Sequence, residues 1–217
     1  ERMYEAAFAM IEPGLPKNEL VAEVNRIAIE GADGHWGDYP AIVPMMGSGL
    51  DATAPHLTWD DQPFRADEIT FFELAGCYRR YHCPLSRTVF LGKMPDKYHA
   101  AEQAVLAASE RALERALPGN TCDDVAVAFF DTLKKHGFEK DSRTGYSIGL
   151  SYPPDWGERT LSLRRGDLTV LRENMTLHFM PALWLDDGGI ELSESIRIAE
   201  RGPEMLCKVP RKVLVKG

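Results

Sequence analysis

The chain has 217 residues, 44% hydrophobic and 27% charged, the balance of a soluble globular protein with enough length for one large core or two small ones. Its formal net charge of −8 leaves no basic face to neutralise phosphates, which argues against a nucleic-acid partner. No apolar run approaches the ~20 residues that a membrane span needs, so no membrane association is expected, and a cytoplasmic location is. Four cysteines, Cys77, Cys83, Cys122 and Cys207, include no CxxC pair, which fits reduced thiols better than a metal or redox centre.

In chain order, Ala7 to His35 reads as the end of one helix, a Pro-Gly turn and a second amphipathic helix. Leu20, Val21, Val24, Ile27 and Ala28 fall at helical spacing there, with Asn18 as the expected N-cap. Strand-like sequence follows in "AIVPMMGSG", "EITFFELAGCYRRYH" and "SRTVFLG". Glu110 to Phe138 then echoes the first helix pair, with Val125, Ala128, Phe129 and Leu133 on one face. Thr121 and Asp124 form a capping-box pattern before its second helix. A second strand block comprises "SIGLSYPP", "MTLHFMPALWL", "IELSESIRI", "EMLCKVP" and "KVLVKG". The echo predicts a duplicated, pseudo-symmetric α+β domain spanning residues 1–217, its helix pairs covering one face of a curved sheet. The open concave face is the natural place for a site.

Glu73 interrupts the apolar run of Phe71, Phe72, Leu74 and Ala75. A buried carboxylate costs several kcal/mol unless something compensates it, so Glu73 demands a partner. The small-residue run "GSGLDATAPH" lacks the P-loop lysine and the dinucleotide spacing. His56, which closes it, reads either as a solvated loop histidine or as a proton carrier. Tyr146, Tyr152 and Trp156 sit among glycines and prolines, where aromatics either pack or wall a pocket for a flat or cationic ligand. The later segment supplies His178, Trp184, Asp186, Asp187, Glu191 and Glu194. Strand alternation through "IELSESIRI" puts Glu191 and Ser193 on one face, towards solvent or towards a site.

In this order, the loop ending in His56, the hairpin closing on "SRTVFLG", "SIGLSYPP", "MTLHFMPALW" and "IELSESIRI" together resemble the pita-bread family. That family includes aminopeptidase P, prolidase, methionine aminopeptidase and creatinase. The resemblance covers essentially the whole chain and implies the pita-bread fold. The family's peptidases bind two metal ions through Asp, Asp, His, Glu and Glu, positions that fall here on Glu73, Pro84, Tyr146, Met180 and Ser193. The histidine of the peptidases' "HE" pair falls on Pro153. The resemblance therefore implies no metal site and no cofactor, because one remaining carboxylate does not make a divalent-metal centre.

Among metal-free relatives, "GLSYPPDWGER" and "HFMPALWLDD…IELSESI" are similar to segments of the ectoine hydrolases. "DDGG" (Asp186 to Gly189) departs from the aromatic expected before the glycine. That likeness implies hydrolysis of a C–N bond in a small zwitterionic amidine, opening the ring of ectoine to acetylated diaminobutyrate. Glu73 is then nucleophile or base, His56 the proton carrier and Glu191 a second acid/base. Tyr146, Trp156, Met180 and Trp184 bind the substrate. It also implies an additional N-terminal domain, so that this chain is a C-terminal fragment, and a homodimer of the full-length protein. The alternatives are an Xaa-Pro peptidase or creatinase-like hydrolase of another small C–N substrate, and a non-catalytic binding module on the same fold.

Overall fold

The echo between the two helix pairs is realised as two helical layers, each on the outer side of its own sheet. The computed structural model describes residues 1–217. Helices α1 (Arg2–Met10) and α2 (Lys17–Glu30) lead through β1 (Met45–Ser48) and a single 3-10 turn (Gly49–Thr53) into the long strands β2 (Glu68–Tyr78) and β3 (Tyr81–Leu91). Helices α3 (Asp96–Leu113) and α4 (Cys122–Lys135) come next. They are followed by β4 (Gly145–Ile148), β5 (Gly157–Ser162), β6 (Thr176–Phe179), β7 (Ala182–Leu185), β8 (Gly188–Glu191), β9 (Glu194–Arg197), β10 (Glu204–Met205) and β11 (Leu214–Lys216). One sheet runs β1-β2-β3-β11 and the second β10-β9-β6-β4-β5, with β7 and β8 as a separate ribbon.

Period-two alternation assigns the faces. Phe72, Leu74, Leu85 and Val89 pack against Tyr4, Ala7, Leu20 and Val24 of α1 and α2, so Glu73 and Ala75 point the other way. In the second sheet Leu177, Phe179 and Ile196 pack on Val105, Phe129 and Leu133 of α3 and α4. His178 therefore faces inward, beside Tyr146 across the ladder. The inner faces of the two sheets meet around Met45, Ala75, Tyr146, Ile148 and Trp156.

The sheets are joined along a seam in which side chains replace part of the backbone ladder. Thr88 Oγ1 donates to the Glu191 carbonyl at 3.0 Å and accepts from the Glu191 amide at 2.9 Å. The Ser86 amide donates to Ser193 Oγ at 2.6 Å, and the Ser193 amide returns a bond to the Ser86 carbonyl at 3.2 Å. Ser195 Oγ donates to the Pro84 carbonyl at 2.6 Å. Arg87, fully buried, donates to the carbonyls of Ser86, Ser193, Val209 and Pro210 and to Glu194 Oε1 at 2.8 Å.

Two local expectations resolve differently. Thr121 and Asp124 form the reciprocal capping box, but Asn18 lies inside α2, whose N-cap is Pro16. The first amides of α2, those of Lys17 and Asn18, donate instead to the Gln62 and Asp60 carbonyls, which satisfies the helix end without a side-chain cap. The segment "IELSESIRI" is not one continuous strand. It breaks between β8 and β9, where the Leu192 amide bonds Pro181 O and the Ser193 amide bonds Ser86 O. Glu191 and Ser193 thereby both reach the seam. No helix is long and apolar enough to cross a membrane.

Removing Arg87 leaves Glu194 as a buried, unpaired carboxylate. Arg87→Met is expected to cost about 3–5 kcal/mol, and Arg87→Met with Glu194→Leu to recover part of that loss. Urea unfolding midpoints compared across the two variants check this.

Candidate active site

Glu73 projects from the inner face of β2 opposite Ser86 and is 1% exposed. Its Oε1 lies 3.8 Å from His178 Nδ1, and its Oε2 has no partner. Burial, reinforced by the charge of Glu191, holds the Glu73 carboxyl well above the usual carboxylate range. Glu191 is fully buried with neither side-chain oxygen hydrogen-bonded. Burial pushes it up to about 7, against the opposing pull of Lys140 and the neighbouring Ser86 hydroxyl.

The contact between His178 and Glu73 is not an ion pair. Burial first, and the Arg143 charge second, bring His178 down to about 3, so its ring is neutral. A separation of 3.8 Å also exceeds hydrogen-bond range. His178 instead sits in a polar chain. Trp156 Nε1 donates to the Tyr146 hydroxyl at 2.7 Å, which lies 3.0 Å from His178 Nδ1. His178 Nε2 lies 2.7 Å from Ser193 Oγ, which receives the Ser86 amide. This chain fixes the Tyr146 ring beside Glu73, and burial together with the Glu73 charge raises the tyrosine's pKa.

A cavity of about 460 Å³ opens over Glu73. Tyr146, Met180, Trp184 and His56 line it. Glu191 lies buried outside the lining, coupled to the cavity through the charges of Glu73 and Lys140. His56 is exposed and makes no hydrogen bond within the chain, so it stands at the rim. Trp156 is the correction: it is fully buried behind the wall, because its indole N–H is committed to Tyr146 in the core. It positions a lining residue and does not itself line the cavity.

Sequence reasoning missed the roles of His178, Lys140 and Arg143. His178 had a usable signal, an imidazole alternating with Leu177 and Phe179 on a strand otherwise built for the core. Lys140 and Arg143 sit in the polar stretch "FEKDSRTG", whose pattern is that of any solvated loop.

Two helix-covered sheets closing on an inner cavity define the pita-bread class. The X-Pro aminopeptidase of Thermotoga maritima superposes with a TM-score of 0.86 at 22% identity, over 99% of this chain and 59% of that one. The prolidase of Pyrococcus furiosus does so with a TM-score of 0.86 at 25% identity, over 97% and 60%. The chain belongs to metallopeptidase family M24, whose profile matches residues 1–200. It is 54% identical to the ectoine hydrolase of Halomonas elongata over 99% of this chain, and spans about 55% of that protein's length.

The family name implies a metal centre, and the donors here do not fit one. Nowhere do three or more His, Cys, Asp or Glu side chains gather closely enough to hold an ion. At the family's ligand positions, Tyr146 is engaged by Trp156 and His178, Ser193 belongs to the seam, and Pro84 and Met180 offer no hard donor.

The raised carboxyl of Glu191 makes a prediction with a defined sign. A folded pKa near 7 against an ordinary 4.5 contributes stability that is complete below 4.5 and is lost as pH rises through about 7. Wild-type protein should therefore lose stability relative to Glu191→Gln across that window, by an amount on the order of 3 kcal/mol. Unfolding midpoints of the two proteins measured from pH 4.5 to pH 8 check it.

Proposed function

We propose that this chain is the catalytic portion of a metal-independent hydrolase that opens the cyclic amidine ring of ectoine. The observation that carries the reading is Glu73: a buried carboxylate with an unpartnered oxygen, facing a cavity without a metal-binding donor set. The kinship with the Halomonas elongata enzyme supplies the substrate. An amidinium is flat, delocalised and positive. Lodged against Glu73, it supplies the opposite charge that the protein withholds, and Tyr146 and Trp184 offer aromatic surface to its ring.

Binding of a cation stabilises the ionised form of Glu73, which burial otherwise disfavours. The carboxylate oxygen then bonds to the amidine carbon, giving a tetrahedral adduct. Cleavage of one ring C–N bond, with a proton delivered to the departing nitrogen, leaves an acyl-type intermediate on Glu73. Water adds to that intermediate, the bond to Glu73 breaks, and an N-acetyl product leaves with the carboxylate regenerated. His56, the one imidazole on the cavity lining, is the proton carrier in this reading. His178 is held neutral within the polar chain and is a positioning group for Tyr146. Glu191, expected as a second acid/base, is buried outside the lining and in this reading acts on Glu73 through its charge.

A second reading keeps Glu73 but makes it a base that activates water, a role its raised pKa also suits. Either way Glu73→Gln in the full-length protein is expected to bind ectoine yet lose on the order of 10³-fold in kcat, about 4 kcal/mol of barrier. Mass spectrometry of rapidly quenched wild type separates the two roles. A ring-opened adduct on the peptide containing "FFELAG" supports the nucleophile, and its absence supports the base. Retention of most turnover by Glu73→Gln overturns both.

Metal independence has its own check. Dialysis against a chelator is expected to leave activity intact, and elemental analysis to find well under one equivalent of Zn or Mn per chain. Activity lost to chelation and restored by metal overturns that part of the reading.

A further inference from the structure

The cavity lining combines the buried carboxyl of Glu73 with three basic side chains, Lys140, Arg143 and Arg159. Arg159 is already engaged by Asp155 at 3.3 Å. Arg143 has no ion pair or hydrogen bond within the chain; its guanidinium carbon lies 4.2 Å above the centre of the Tyr146 ring. Stacking occupies one face of a guanidinium and leaves the N–H fork at its edge free for a planar anion. Lys140 is likewise unpaired, and burial brings its ammonium down to about 8 even with Glu191 opposing that shift.

The Tyr146 hydroxyl reaches His178, whose Nδ1 is 3.8 Å from Glu73. Arg143 and Glu73 thus line the same cavity and are linked through Tyr146 and His178, which offers one small zwitterion a partner for each of its charges. An uncharged or purely cationic ligand would bring no anion to either free cation.

We propose that Arg143, assisted by Lys140, is the carboxylate-binding and specificity-determining site of this cavity, selecting small amidines that carry a carboxylate. The inference rests on the hydrolase reading and deepens it by assigning the second charge of the substrate. A paired charge-assisted hydrogen bond across a fork of this kind accounts for discrimination of about tenfold to a hundredfold.

The test compares ectoine with the same cyclic amidine lacking the carboxylate, on the full-length protein. Wild type should favour ectoine in kcat/KM by about tenfold to a hundredfold. Arg143→Gln should bring that ratio close to one, mainly by raising KM for ectoine. Arg143→Lys keeps the charge but loses the fork, and should recover only part of the ratio. A merely structural role would instead lower both substrates alike, so an unchanged ratio in Arg143→Gln overturns the proposal while the hydrolase reading stands. If wild type turns over neither compound, that reading fails. The carboxylate site is then judged by calorimetric binding of the same pair: preference for ectoine lost in Arg143→Gln supports it, and no preference in wild type overturns it.

Discussion

The buried guanidinium of Arg87 and the line of hydroxyls beside it hold the two sheets in register. Backbone pairing alone does not join β3 to the β8–β9 segment. The hydroxyls of Thr88, Ser193 and Ser195 bridge them, and Arg87 gathers four carbonyls and the Glu194 carboxylate into one knot. Each of those groups, buried and unpaired, would cost about 1–3 kcal/mol, more for the charged ones. Their mutual satisfaction is what allows a polar seam to cross the centre of the protein. Glu73 sits opposite Ser86, and Glu191 opposite Thr88, so the seam also sets the spacing of the two carboxylates.

Everything electrostatic in the cavity follows from that placement. Burial raises both carboxyls, and the charge of Glu191 further disfavours ionisation of Glu73. A protonated histidine could have relieved them, but His178 is desolvated and lies within the field of Arg143. It joins a neutral chain from Trp156 to Ser193 instead. The remaining positive charge is kept at the wall, on Lys140 and Arg143. Burial of two carboxyls beside a neutral histidine therefore favours their uncharged forms at the floor of the cavity, a common arrangement at sites of acid–base and nucleophilic chemistry.

Family kinship and local chemistry point in different directions here, and the residues say why. A pita-bread peptidase gathers five donors about its metals. In this chain the corresponding positions have been turned to other uses: Tyr146 and Ser193 into the histidine's hydrogen bonds, Met180 into an apolar lining, Pro84 into an acceptor carbonyl for Ser195. Glu73 alone keeps a carboxylate. The fold thus preserves the cavity and the strand that addresses it, while the side chains at the peptidases' ligand positions no longer form a hard-donor set.

Much of this was readable in one dimension. Helical period in Leu20 to Ala28 and Val125 to Leu133, alternation through β2, the capping box at Thr121, and the loss of ligand types at Pro84, Tyr146, Met180 and Ser193 are local properties, carried by residue identity and short spacing. So was the anomaly of Glu73 within an apolar run. Tertiary structure decided the rest. His178 acquires its role from Tyr146, 32 residues away, and Ser193, 15 residues away. Trp156 moved behind the wall because its N–H found Tyr146. Asn18 lost its capping role because carbonyls of the 60–62 segment reached the helix end first. Lys140 and Arg143 became cavity residues only when their loop settled beside β4 and placed Arg143 over the Tyr146 ring. Local pattern sets which face a side chain occupies; which distant groups meet that face depends on how sheets and loops close, and no period in the sequence encodes that closure.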